Sequence, residues 1–397
     1  MNFLFWYIAL ALIVILAFAL NHNIKNLRQK SDKKSRFNSL PIHYAYCFVL
    51  WSLIFTIAII FTSFSDFTKN ILLVVFAIGN FFLIKFFHDR NFNSKKHIEN
   101  AGTIVLSITA GIGILITIII TISILFEALR FFEKVNPLEF LFGTSWNPQM
   151  AITSEQEVGK SSFGSVPVFL GTLLITLIAM LVAVPVGIMG AIYLCLYAKA
   201  KTRDYLKPAL EILAGVPTVV YGYFAVITIA PFFKNIFAVI GIGIASESAL
   251  AAGFVMGVMI IPFMLSLTDD ALNAVPQALK DGALAMGSTK SEMIKKVVLP
   301  SAMPSIVGAV ILAVSRAIGE TMIVVMAAGL VAKMTFNPLD SVTTATAQIV
   351  TLLVGDQEFN SPKTLAAFAL ALTLFIFTFI FNIIALMVIK NYKKKYG

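Results

Sequence analysis

The chain has 397 residues, 59% of them hydrophobic and only 13% charged, with a mean hydropathy of +0.90. This composition excludes a soluble globular domain and describes a polytopic membrane protein, so the length counts membrane spans and not cores. The formal net charge of +10 does not indicate nucleic acid, because the basic residues sit in short loops between apolar runs, and Cys47 and Cys195 lie inside such runs without metal-ligand or disulfide spacing.

In chain order, apolar runs near the about 20 residues that cross a bilayer fall at 2–20, 43–63, 71–87, 102–126, 168–196, 209–232, 251–268, 304–331 and 364–389. The expectation is nine spans in an all-α polytopic membrane protein. The first run has no charge before it and is followed by Lys25, Arg28, Lys30, Lys33, Lys34 and Arg36. That order is the reverse of a secretory signal peptide and reads as an uncleaved anchor with its N-terminus outside. Alternation then places 88–100, 198–208, 269–301 and the tail after 389 in the cytoplasm. Each of these segments carries several Lys or Arg residues, and the C-terminus falls inside.

Spans one to three are bare apolar ladders, with Lys85 close enough to a span end to snorkel. Later spans contain features that anchors do not need. Pro185, Gly215-Val216-Pro217 and Pro262 interrupt the fifth, sixth and seventh, and proline inside a membrane helix frees backbone groups that a neighbour or water must satisfy, so these helices line something. Glu211 reads as loop-facing or as a partner for Lys207, and Thr218 and Tyr221 read as packing hydroxyls.

Residues 281–300 are a polar interruption between two apolar stretches. Pro276 suits a first helical position, Gly287 a left-handed stop, and Thr289 with Glu292 a capping box. A second short helix then runs to Pro300. Its Met293, Ile294, Val297 and Val298 share one face, with Lys290, Lys295 and Lys296 elsewhere, which is the outline of a docking element for a cytoplasmic partner.

This segment resembles the cytoplasmic signature loop of bacterial ABC import permeases: Glu-Ala-Ala, three residues, Gly, nine residues, a branched aliphatic residue, one more, then Leu-Pro. Here Asp281-Gly282-Ala283 stands for the triplet, Gly287 for the glycine, Val297 for the aliphatic residue, and Leu299-Pro300 closes it. Asp281 and Gly282 depart from the pattern, and Gly282 costs a helix about 1 kcal/mol relative to Ala. A narrower resemblance follows. Arg316-Ala317-Ile318-Gly319-Glu320-Thr321-Met322, with Val325-Met326-Ala327-Ala328-Gly329, is similar to the phosphate-specific (Pst) permeases, on the PstC side of the pair. Phe140 to Pro148 and Leu213 to Gly222 resemble two further stretches of the same family.

The resemblance implies a six-helix ABC type-I importer core preceded by an N-terminal three-helix extension. It divides the chain into the extension at 1–100, a first core span with its outer loop at 101–165, the transmembrane domain at 166–390, and a basic tail at 391–397. It implies half of a heterodimeric pore in the bacterial inner membrane, completed by a PstA-like permease. An ATPase dimer carrying ATP and Mg would drive it, and a periplasmic phosphate-binding protein would supply phosphate. The loop residues would be the ATPase contact. The chain has no Gly-rich Lys-Ser/Thr phosphate loop, so it is expected to be a permease and not an enzyme, with no cofactor of its own.

Arg316 falls near the middle of its expected span, where a charge costs about 2.5–3.5 kcal/mol. Glu320 is one turn on, so an intrahelical pair is expected. Two roles fit such a pair. It can hold the helix against another span, or, with the Thr321 hydroxyl, it can face the substrate path. In the second role Arg316 engages phosphate oxygens and Glu320 accepts the proton of protonated phosphate, disfavouring sulfate. The alternatives are a permease for another oxyanion, sulfate or molybdate, and an ion-coupled secondary transporter using the pair as a proton relay. The coupling loop argues against the second of these, and a scaffold without transport is a third.

Overall fold

The computed structural model describes residues 13–26, 40–60, 66–86, 94–148, 162–354 and 360–396. The basic segment 27–39 and most of the expected first span lie outside them. The chain forms two compact units, Met1–Ile119 and Ile120–Gly397. Among the described residues the structure is helical, with two isolated β-bridges, Trp146 to Phe163 and Gly329 to Val342.

In the first unit, residues 13–26 are helical (α1), followed by α2 (Pro41–Ile60), α3 (Asp66–Phe86) and the start of α4 (Ser94–Phe132). Leu20, Ile24, Tyr44, Phe48 and Ala77 form its buried cluster. A buried amide of this unit is satisfied: Asn80 donates to the Phe48 carbonyl and the Ser52 hydroxyl, each at 3.2 Å. α4 is apolar all round and exposes its isoleucines, as a helix facing lipid does.

The second unit contains α5 (Pro137–Phe142), α6 (Val166–Ile192), α7 (Ala200–Ala214), α8 (Thr218–Phe224), α9 (Ala230–Val239) and α10 (Ala249–Asn273). It continues through α11 (Gln277–Ala285), α12 (Lys290–Met293), α13 (Leu299–Ile318), α14 (Met322–Ala327), α15 (Ala345–Leu353) and α16 (Pro362–Tyr396). α6 and α10 form its centre, packed around Ile175, Ala179, Met256 and Ile260. Their approach depends on Gly257, where a Cβ would stand 2.8 Å from both the Ala179 carbonyl oxygen and Val182 Cβ. Between membrane helices, close packing of this kind replaces the hydrophobic drive. A second cluster, of Phe131, Phe140, Trp146 and Phe163 with Leu365 and Leu370, closes one end.

Among the described residues six helical segments are long and apolar enough to cross a membrane: Ile98–Phe132, Val166–Tyr197, Thr218–Val239, Ala249–Asn273, Lys290–Ile318 and Pro362–Lys390. Two expected spans are redrawn. The run at 209–232 is split, because Pro217 has no N–H and keeps Val216 out of the helical region, so α7 ends at Ala214 and the crossing starts at Thr218. The run at 304–331 is cut at Gly319, and after the short α14 the chain turns through two left-handed residues, Gly329 (φ 96°) and Leu330 (φ 55°).

Candidate functional site

The coupling segment follows directly from α10. Pro276 is the N-cap of α11 and Gln277 its first helical residue, one position later than expected, and the Gln277 amide donates to Asp281 at 2.9 Å. Gly287 takes φ 86°, where a Cβ would be strained, and so reverses the chain. Thr289 and Glu292 form the expected capping box: the Thr289 N–H donates to the Glu292 carboxylate at 3.0 Å, and the Glu292 N–H to the Thr289 hydroxyl at 3.3 Å.

The expected second helix ending at Pro300 is instead the start of the next span. Pro300 cannot donate to a carbonyl one turn back, and the helix widens into a π-turn over Ile294–Val298, with the Leu299 N–H bonding the Ile294 carbonyl. The same device precedes Pro231, where the Ala230 N–H bonds the Ala225 carbonyl. The face expected to dock a partner is therefore turned inward: Met293, Ile294 and Val298 are buried against Leu194, Leu265 and Leu272, with Val297 half-buried. The apolar residues left outside belong to α11 and its turn, Leu279, Leu284 and Met286, the last 88% exposed. Asp281 and Gly282 are exposed beside them and Ala283 is half-buried, as are Leu299 and Pro300.

Asp269, at the α10 end, is a feature that reading along the sequence missed. It is 1% exposed and accepts from Arg203 Nη2 at 3.1 and 2.9 Å and from Lys207 Nζ at 3.0 Å, both cations coming from α7. Its hydrogen bond holds the Lys207 ammonium above the ordinary lysine range. Lys207 thus pairs with Asp269 and not with Glu211. Lys280 of α11 is buried and donates to the Leu272 carbonyl, so α7, α10 and α11 are joined at one place. The signal was present in outline: Arg203 and Lys207 are one turn apart on an amphipathic helix, and Asp269 stands where an apolar run stops.

Arg316 and Glu320 do not form the expected intrahelical pair. Gly319 caps α13, so Glu320 stands past the helix end. Its carboxylate accepts from the N–H groups of Met322 and Ile323 at 3.1 and 3.5 Å and so caps α14, while its carbonyl accepts from the Thr346 hydroxyl at 2.8 Å. Thr321 lies in the same break, its hydroxyl 3.4 Å from the Gly319 carbonyl. Arg316 points elsewhere, over the Phe263 ring at 5.3 Å from the centroid. It lines a cleft of about 210 Å³ with Lys207, Glu211 and Ser266, over a floor that includes Pro262 and Phe263.

At the other end of this unit, Trp146 of the outer-loop stretch donates to Gln348 at 2.9 Å, and Gln348 in turn donates to the Leu330 carbonyl and the Thr343 hydroxyl. Asp340, held below the usual range by Lys333 and then Thr335, braces the loop after Leu330. The Tyr221 hydroxyl donates to the Leu213 carbonyl, which spans the α7–α8 break.

Residues 183–394 match the family described as binding-protein-dependent transport system inner membrane component. The chain is 32% identical over 285 residues to the "Probable ABC transporter permease protein YqgH" of Bacillus subtilis (strain 168), covering 71% of this chain and 88% of that protein. It is 33% identical over 264 residues to the "Phosphate transport system permease protein PstC" of Mesorhizobium japonicum, covering 62% of this chain and 76% of the relative. A solved bacterial alginate ABC transporter chain is similar at 15% identity and a TM-score of 0.47, over 75% of this chain and 94% of that one. The family match over residues 183–394 and the likeness to the Bacillus subtilis permease make the chain a member of the binding-protein-dependent transport system inner membrane components, a transport permease subunit and not an enzyme.

Proposed function

We propose that this chain is the PstC-type permease subunit of an ATP-driven phosphate importer, forming half of a pore completed by a PstA-like permease. The observation that carries this reading is the continuity of α12, the π-turn and α13: one helical segment runs from the capped turn at Gly287 to Arg316. A displacement at the turn is delivered to a guanidinium suited to phosphate oxygens. The names of the relatives support phosphate as the substrate.

In this reading an ATPase dimer holding ATP and Mg docks on the exposed side of α11, and Asp281, Gly282, Ala283 and Gly287 shape that contact. Val297, Leu299 and Pro300 transmit its movement. Arg316 faces the substrate path, and Glu320 and Thr321 form the break that ends the helix beside it. A periplasmic phosphate-binding protein delivers the substrate to the opposite side. The chain crosses the inner membrane nine times, in contact with lipid, with its N-terminus outside and its C-terminus in the cytoplasm. The first three spans precede the six-span core.

The test is uptake of radiolabelled phosphate into proteoliposomes containing this chain, the partner permease, the ATPase and the binding protein. ATP-dependent uptake that R316Q abolishes while the complex still assembles is the expected result. Uptake of sulfate or molybdate in place of phosphate, or uptake without ATP, overturns the assignment.

A further inference from the structure

Arg316 shares its cleft with three polar side chains from two other helices, Lys207 and Glu211 on α7 and Ser266 on α10. The volume, about 210 Å³, is below the about 300–1,000 Å³ of sites for drug-sized ligands and suits a small solvated ion.

The charges define which ion. Among the described residues no carboxylate lies within ion-pair distance of Arg316, and no cation within that distance of Glu211. Those two cancel in sum while each keeps its hydrogen-bonding capacity. Arg203 and Lys207 share Asp269, and the neighbouring Asp270 carboxylate also acts on Lys207, so this group is balanced. Lys207 gives one N–H to Asp269 and an ammonium has three, so two remain for a ligand. The net charge is zero, so an anion is held here by direct contact with the unpaired Arg316 guanidinium and the remaining Lys207 N–H groups. Glu211 adds a chemical condition, because an ionised carboxylate only accepts hydrogen bonds. A ligand beside it must bring an O–H, and a fully deprotonated dianion meets it as a like charge.

We propose that this cleft binds a tetrahedral oxyanion in its singly charged, protonated form. Arg316 and Lys207 hold the bare oxygens, Ser266 adds a hydroxyl contact, and Glu211 accepts the proton-bearing oxygen. The inference rests on the importer reading and reassigns one role within it. Glu211, not Glu320, is the discriminating carboxylate, since Glu211 lines the cleft with Arg316 while Glu320 stands past the end of α13 and caps α14.

The experiment uses the assembled complex of both permeases and the ATPase, without nucleotide. A single thiol is placed at A214C, a position that lines the cleft without taking part in its polar chemistry, in a background with Cys47→Ala and Cys195→Ser. Inorganic phosphate at about ten times its Kd slows methanethiosulfonate labelling about tenfold by mass action, and sulfate does not. In E211Q sulfate protects as well as phosphate does, and in R316Q neither protects. Equal labelling with and without phosphate, in a complex whose proteoliposomes still take up phosphate, overturns the cleft site and leaves the importer reading standing. Absence of uptake by the unmodified complex sinks the importer reading instead. Sulfate exclusion that persists in E211Q, or loss of assembly in both E211Q and E211S, removes Glu211 from the assignment.

Discussion

The guanidinium of Arg316 lies over the ring of Phe263, 5.3 Å from its centroid, and ties the last turn of α13 to the α10 turn next to Pro262. A contact of this kind is worth about 0.5–1 kcal/mol at an exposed site. Phe263→Leu keeps the apolar volume and removes the ring face. It is expected to lower phosphate uptake about two- to fivefold, by the ratio of about 1.36 kcal/mol per factor of ten, with ATPase association unchanged. Uptake at the unmodified rate would show that the ring does not position Arg316.

Asp269 joins α7 to α10, and its loss leaves two cations facing an uncharged amide. Breaking a buried pair costs about 3–5 kcal/mol, and the one-third exposure of Arg203 and Lys207 reduces this to about 1–3 kcal/mol. Asp269→Asn is expected to lower the thermal midpoint of the purified complex. It should also reduce transport per ATP hydrolysed, because α7 no longer moves with the α10 end. The double variant with Arg203→Gln should cost less than the sum of the two single changes.

Gly257 sets the separation of α6 and α10. Alanine there places a methyl 2.8 Å from a backbone carbonyl oxygen and from Val182 Cβ, an overpacking that costs about 1–3 kcal/mol. The expected outcome for Gly257→Ala is a lower unfolding midpoint in detergent, partly recovered by Val182→Ala. Unchanged stability would mean that the helix pair separates without cost.

Glu292 closes the coupling turn. Its carboxylate accepts from the Thr289 N–H at 3.0 Å and from the Thr289 hydroxyl at 2.8 Å. Glu292→Gln keeps the shape and weakens both bonds, since bonds to a charged acceptor are the stronger ones. Amide protection at Lys290–Met293, measured by hydrogen exchange at neutral pH, is expected to fall in this variant, and unchanged protection would show that the box does not hold the turn.

The features legible in the sequence are those set within one or two helical turns. Four apolar runs, at 102–126, 168–196, 251–268 and 364–389, lie within helices of bilayer length, because backbone groups in lipid must bond within their own segment. Gly287 and the Thr289–Glu292 box appeared as read, since each depends only on neighbours up to three residues away. The tertiary structure decided the rest. α13 ends at Gly319 in a setting where Thr346 of α15 holds the Glu320 carbonyl, and this separates Glu320 from Arg316 and sends the arginine to Phe263. The inward turn of Met293 and Ile294, and with it the outward place of Met286, follows from packing against Leu194 and Leu272. Asp269 finds Arg203 and Lys207 more than sixty residues away. A helical period establishes which side chains share a face, but only the packed neighbours determine what that face meets.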